Sequence, residues 1–166
     1  MAQPVCGPNV EIRGWQADAQ GPSAFAYANG YLYVGYRTTS IIARFELSDI
    51  SVPNPLQGEL IADFSRVGGK VDIIDMSFSQ DGRLLVSTAS MGGVWAIEPD
   101  PRSPFVPQAR TPNAIDMRRL TGNSRAKCSN IAVDSLGHIY LCSNNDDNQE
   151  PNPVAVGTIY RAVMDA

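Results

Sequence analysis

The sequence predicts an all-β chain made of β-propeller blades: three four-stranded antiparallel sheets, half of a six-bladed ring. Three observations predict this. The first is a threefold internal repeat. Phe25-Ala-Tyr…Asn29-Gly-Tyr-Leu-Tyr-Val34, Met76-Ser-Phe…Asp81-Gly-Arg-Leu-Leu-Val86 and Ile131-Ala-Val…Leu136-Gly-His-Ile-Tyr-Leu141 align as an apolar run, a turn containing Gly, and a second apolar run. Each is followed by a third run, Ile42–Phe45, Val94–Ile97 or Ile159–Ala162. Repeats of about 50 residues built from short strands are the mark of propeller blades. The second observation is the character of the runs: short, rich in Tyr, Val and Ile, and bounded by Gly, Pro, Asn and Asp, which is strand chemistry. No apolar stripe of helical period persists over three turns. The third is the order of the strands, which is offset in the way that closes a ring.

Strands within a blade are lettered a to d from the axis outward. Strand a is expected at Ala24–Tyr27, Ile74–Ser79 and Asn130–Asp134, and strand b at Tyr31–Tyr36, Arg83–Ser87 and His138–Cys142. Strand c is expected at Ile41–Leu47, Val94–Glu98 and Thr158–Met164, and strand d at Glu59–Phe64 and Ile115–Leu120. The third repeat has no strand d after its strand c. An equivalent run, Val10–Trp15, precedes the first strand a. The chain therefore divides as one domain over 1–166, with repeats at about 17–65, 66–121 and 122–166 and with 10–16 as a closing outer strand. Closure removes exposed sheet edges, which otherwise invite association. A ring of three wedge-shaped blades is too tight, four being the usual minimum. Two copies make six blades, with Val10–Trp15 of each pairing with Thr158–Met164 of the other. The rival expectation is that these blades belong to a longer propeller.

Composition bounds the function. Apolar residues are 43% and charged residues 18% of 166, a globular balance with length for a real core. No apolar run reaches the roughly 20 residues of a membrane span. The start, Met1-Ala-Gln-Pro-Val-Cys-Gly-Pro, has neither the basic nor the apolar region of an intact signal peptide. The net charge is −4, and a nucleic-acid surface needs a clustered basic face. The densest basic stretch, Arg118-Arg119…Arg125…Lys127, is expected to be a solvated face. The cysteines Cys6, Cys128 and Cys142 have no C-x-x-C spacing. A turn centred on Leu136-Gly137 puts Cys142 opposite Asn130, leaving Cys128 a diagonal neighbour about 7–8 Å away, too far for an unstrained disulfide. Two free apolar thiols are expected there.

Asn130-Ile-Ala-Val-Asp-Ser-Leu-Gly-His-Ile-Tyr-Leu resembles the strand a–turn–strand b signature of six-bladed propellers, the NHL-repeat proteins and the SMP-30/gluconolactonase/paraoxonase-like group. Asp75-Met-Ser-Phe-Ser-Gln-Asp-Gly-Arg-Leu-Leu-Val is similar to the same signature and to a WD40 strand pair, although Trp95-Ala stands where WD40 repeats carry Trp-Asp. The resemblance covers all three repeats and implies propeller architecture. In the SMP-30-like enzymes an Asn and an Asp at the start of strand a, with a Glu, hold a divalent cation in the channel. The matching positions here are Asp75 and Asn130, with Ala24 in the first repeat. Their oxygens suit Ca²⁺. The simpler expectation is that both cap the strand entrance and bond loop amides. The family's Glu has no match; Glu11 falls on the outermost strand.

Two other features attract notice. Gly137 to Gly157 spans twenty positions, against ten from Gly30 to Ser40 and from Gly82 to Gly92. The added segment holds Asn144, Asn145, Asp146, Asp147 and Glu150. It lacks EF-hand spacing and is expected to be a solvated loop on the ligand face. His138, the one histidine, follows a turn Gly and is expected at an exposed hairpin on the opposite face. One histidine excludes a His-rich metal site within a chain, and no G-x-S-x-G is present. The function expected is a non-catalytic binding or assembly module, a homodimer or part of a longer propeller, with a protein or small-molecule ligand. The alternative is a Ca²⁺-dependent lactone or ester hydrolase, with metal-activated water and Asp75 and Asn130 as ligands. A carbohydrate-binding propeller is weaker, because Tyr33 and Tyr140 recur but Leu85 interrupts them.

Overall fold

A computed structural model describes residues 11–12, 15–16, 21–47, 58–67, 71–88, 92–108, 111–122, 124–144 and 158–164. It opens with β1 (Glu11–Ile12) and β2 (Trp15–Gln16), paired with each other. Blade 1 is β3 (Pro22–Ala28), β4 (Tyr31–Tyr36), β5 (Ile41–Glu46) and β6 (Glu59–Asp63), an antiparallel meander in that order. Blade 2 is β7 (Ile73–Phe78), β8 (Leu84–Thr88), β9 (Gly93–Ile97) and β10 (Ile115–Asp116). Blade 3 is β11 (Lys127–Val133), β12 (Ile139–Asn144) and β13 (Ile159–Ala162), three-stranded among the described residues. The innermost strands gather, β3 beside β7 and β7 beside β11, as blades around an axis require. No helix among the described residues is long and apolar enough to cross a membrane.

The hairpins follow their turn residues. Asn29 (φ 52°) and Gly30 (φ 82°) form a two-residue turn closed by the Ala28–Tyr31 pair, the mirror-image geometry that matches strand twist. In blades 2 and 3 the turn is one residue longer. Gly82 and Gly137 donate back to Ser79 and Asp134, which in turn donate to Arg83 and His138.

Two expected strands come out differently. Ile115–Leu120 is a strand only at Ile115–Asp116; Met117–Thr121 is a helix, α1. Asp116 caps it, its side chain accepting from the Arg118 amide, and Gly122 ends it with left-handed geometry. Asp at the N-cap and Gly after the last turn are start and stop signals, and Met117 is the residue that it buries. At Val10–Trp15, a single outer strand was expected. Glu11↔Gln16 and Ile12↔Trp15 instead pair as a short hairpin within the chain.

Alternation along the strands gives each blade two apolar faces. Ala24, Ala26, Tyr33 and Ile42 of blade 1 pack on Ile73, Met76, Leu84, Val86, Trp95 and Ile97 of blade 2. Leu85, Val94, Ile115 and Met117 of blade 2 pack on Cys128, Ile131, Ile139, Leu141 and Ala162 of blade 3. A third cluster, Val34, Tyr36, Ile41, Ala43 and Phe45, is fully buried on the other face of blade 1. The connection after β9 reaches back to blade 1: Phe105 bridges Ala62 in parallel and exchanges backbone bonds of 2.9 Å with Ile61 and Asp63. Its ring meets Phe64 at 5.9 Å and Trp95 at 6.0 Å. At Gly35 the first two blades come close together. A Cβ there would lie 2.7 Å from Ile73 Cγ2. Gly35→Ala is therefore expected to destabilise the fold by about 1–3 kcal/mol, the usual cost of overpacking. In a urea titration the midpoint should fall with the slope unchanged.

Candidate functional site

The site grows from a distortion repeated in each blade. Strand a is out of register between Pro22 and Ala24, between Ile73 and Asp75, and between Cys128 and Asn130. Each bulge adds a residue, Ser23, Ile74 or Ser129, and bends the strand end, a device common beside binding sites. Immediately after it, Ala24, Asp75 and Asn130 sit opposite Gly35, Ser87 and Cys142. The three positions aligned in the sequence are thus equivalent in space.

Hydroxyls and one carboxylate tie these strand ends together. Ser23 Oγ lies 2.9 Å from the Ile73 carbonyl and 3.2 Å from that of Gly35, its proton shared between blade 2 and its own sheet. Ser129 Oγ donates to the Cys142 carbonyl at 3.3 Å, and Ser87 Oγ to that of Asp75 at 3.4 Å. Asp75 Oδ1 accepts from the Met76 amide at 2.9 Å and Oδ2 from the Ile131 amide at 2.8 Å. The carboxylate therefore crosses from blade 2 to blade 3 and binds the residue next to Asn130. Asn130 itself is exposed.

Asp75 thus reaches the backbone beside Asn130. Asp75 does bond amides, but those of strand residues Met76 and Ile131 rather than of a loop. Each of its oxygens keeps a second acceptor direction. Among the described residues no three of His, Cys, Asp and Glu gather as a metal site. Asn144 closes β12 opposite Lys127. Asn145, Asp146, Asp147 and Glu150 lie outside the described residues.

Two buried hydroxyls escaped sequence reasoning. Thr88 and Ser143 sit opposite Ile73 and Cys128, one step beyond the bulge partners. Their oxygens are buried without a hydrogen-bond partner among the described residues. The signal was present: strands b of blades 2 and 3 carry Ser87-Thr88 and Cys142-Ser143 at matching places near their ends. On the same side, the loop after β4 is fastened to the crossing into blade 2. Ser40 accepts the amides of Phe64 (2.9 Å, backbone) and Val71 (3.3 Å, side chain), and Arg37 pairs with Asp72 at 3.2 Å.

The cysteines behave as expected. Cys142 faces Asn130, and both described thiols are free. Burial, the largest influence, pushes the Cys128 thiol up to about 12, which removes it from nucleophilic chemistry at neutral pH.

His138 lies at the opposite end, on the hairpin of blade 3. Its Nδ1 is 2.9 Å from Asp134 Oδ2, which also accepts from the Tyr140 hydroxyl at 3.2 Å. Asp134 Oδ1 takes the amides of Leu136 and His138, each at 2.9 Å. Partial burial pushes the Asp134 carboxyl up, but the bonds from His138, Leu136 and Tyr140 outweigh it and hold the group at about 2. This is a braced turn, remote from the bulges.

No family model matches the sequence, and neither does any curated protein. Among solved structures, the luciferin-regenerating enzyme, a β-propeller, is similar with a TM-score of 0.54 and 16% identity, over 92% of this chain and 45% of that one. At that identity the likeness shows the fold alone. This chain spans less than half of that structure's length. The extracellular domain of the hybrid two component system BT4673 from B. thetaiotaomicron matches at a TM-score of 0.37 and 12% identity, over 86% of this chain and 22% of that one; it carries no argument.

Two outcomes are expected. Asp75→Ala leaves the buried Ile131 amide unpaired, which costs about 1–3 kcal/mol and should speed exchange of that amide hydrogen. Asp134 has a lowered folded value. Its stabilising contribution is present above its unfolded value of about 4 and is lost as pH falls towards about 2. In Asp134→Asn the acid-induced loss between those limits should be shallower in a pH series of melting curves.

Proposed function

We propose that the chain is a β-propeller binding and assembly module whose ligand face is the bulged end of the innermost strands, and whose ring is completed by a second copy. The observation that supports this is the chemistry of that end. Serine hydroxyls, backbone carbonyls, Asp75 and the exposed Asn130 gather there on rigid, cross-tied strands. This set recognises and positions. Its ligand is a protein segment or a small polar molecule. Assembly is supported by blade 3, where β13 has no outer strand among the described residues, whereas β5 and β9 are covered by β6 and β10. Residues 10–16 of a second copy fit that edge once the β1–β2 hairpin opens, an exchange of an identical element between copies. Deleting residues 1–16 is then expected to lower the mass in light scattering or to cause aggregation through the bare edge. A truncated chain that keeps the size and melting temperature of the full one would remove those residues from the assembly.

The juxtaposition of Asp75 and Asn130 favours a second reading, a Ca²⁺-dependent lactone or ester hydrolase of the SMP-30-like kind. Both residues offer oxygens to a hard cation, with a further ligand to be supplied from elsewhere. Calcium would polarise the carbonyl and activate water. In that case Ca²⁺ raises the melting temperature in proportion to RT ln(1 + [L]/Kd), and both Asp75→Ala and Asn130→Ala abolish the rise. No calcium-dependent shift in the wild type would leave the binding module as the standing reading.

A further inference from the structure

The two ends of the blade stack are unlike its middle. On strand a, Phe25 and Tyr27 hold the register positions of Met76 and Phe78 in blade 2 and of Ile131 and Val133 in blade 3. In blades 2 and 3 this pair packs on the preceding blade, leaving Met76 4% and Ile131 8% exposed. In blade 1 no preceding blade among the described residues covers the pair: Phe25 is 73% and Tyr27 62% exposed. The opposite holds on strand c. Ile159 of blade 3 holds the position of Ile42 and Val94, both fully buried against the following blade, yet is itself 70% exposed. Beside it, Ala132 and Arg161 are exposed and Tyr140 is half-buried.

The inner contact repeats in detail. Tyr33 of blade 1 receives Phe78 of blade 2 edge-on, with centroids 5.0 Å apart. One blade on, Leu85 and Val133 meet in the same cluster. Tyr140 is the third member of the series Tyr33, Leu85, Tyr140, and Tyr27 is the pair's counterpart to Phe78 and Val133. The chain thus carries both halves of one repeated interface, each left exposed by the described residues.

We infer that the free face of blade 3 is the seat for Phe25 and Tyr27 of a second copy, with Tyr27 of that copy set against Tyr140. This rests on the assembly reading above and specifies which surfaces meet. Each such contact joins two different surfaces of the chain, and two of them related by a half turn close a ring of two copies. Val34, Tyr36, Ile41, Ala43 and Phe45, further out on the same face of blade 1, are already buried within the chain. The second copy therefore meets the innermost strand rather than the whole face. Arg161 is the register partner of Tyr140 and borders the seat.

The test is light scattering and sedimentation of the intact chain and its variants. The wild type is expected at the mass of two chains. Phe25→Lys and Tyr27→Lys change exposed positions and should leave the circular dichroism unaltered. Each should weaken association by at least about tenfold, a factor that corresponds to 1.4 kcal/mol, because a lysine is driven against Arg161 in a desolvated contact. Combining Tyr27→Lys with Arg161→Glu should recover association. Leu136→Lys, at another exposed apolar position on the hairpin of blade 3, should change nothing. A two-chain wild type that is insensitive to every substitution at Phe25, Tyr27 and Arg161 overturns this pairing of surfaces and leaves the assembly reading in place. A wild type that stays single up to about 1 mM, where association is worth only about 4 kcal/mol, overturns both.

Discussion

The packing of each blade on the one before it is the contact on which the rest depends. A blade of three or four short strands has apolar side chains on both faces and cannot bury either by itself. Met76 and Phe78 find cover on Ala24, Ala26 and Tyr33; Ile131 and Val133 find it on Leu85 and Val94. That requirement sets the spacing of the innermost strands. It also explains Gly35, where Ile73 comes too close for a side chain, and the backward reach of Phe105 to join the edge-on pair of Phe64 and Trp95.

Stacking also creates the candidate site. Where inner strands of adjacent blades converge, their ends carry a bulge each, and the freed backbone groups need partners. Ser23 supplies one for Ile73, and Asp75 supplies one for Ile131. The same residues that brace the strand ends thus line the proposed ligand face. A braced end is preorganised, so a ligand that binds there meets groups already in place. The carboxylate of Asp75 serves the fold first, and any role towards a cation comes through acceptor directions that its two amide bonds leave open.

The architecture was legible because it is local and periodic. The apolar runs, the Gly-containing turns and their recurrence predicted strands a, b and c in each blade within a few residues, and placed Cys142 opposite Asn130 as found. The alignment of Ala24, Asp75 and Asn130 also held, since a β-bulge at the same place in each strand preserves equivalence. Misjudged were short elements whose outcome depends on competition. Asp116 and Gly122 are sound cap residues, but a five-residue helix is marginal alone and forms here because Met117 is buried. Similarly, Val10–Trp15 has the alternation of one strand, yet Ile12 pairs with Trp15.

By itself, then, the sequence determined the strands, their turns, their order within a blade and the positions that correspond between blades, because alternation and turn chemistry act over a few residues. Only the tertiary structure decided which positions are filled. It showed that Asp75 is committed to the Ile131 amide, that Thr88 and Ser143 are buried, and that Phe25 and Ile159 are left bare while their counterparts are covered. The physical reason is that burial belongs to pairs of blades. An apolar residue on a blade face reads the same in sequence whether or not a neighbouring blade arrives to cover it.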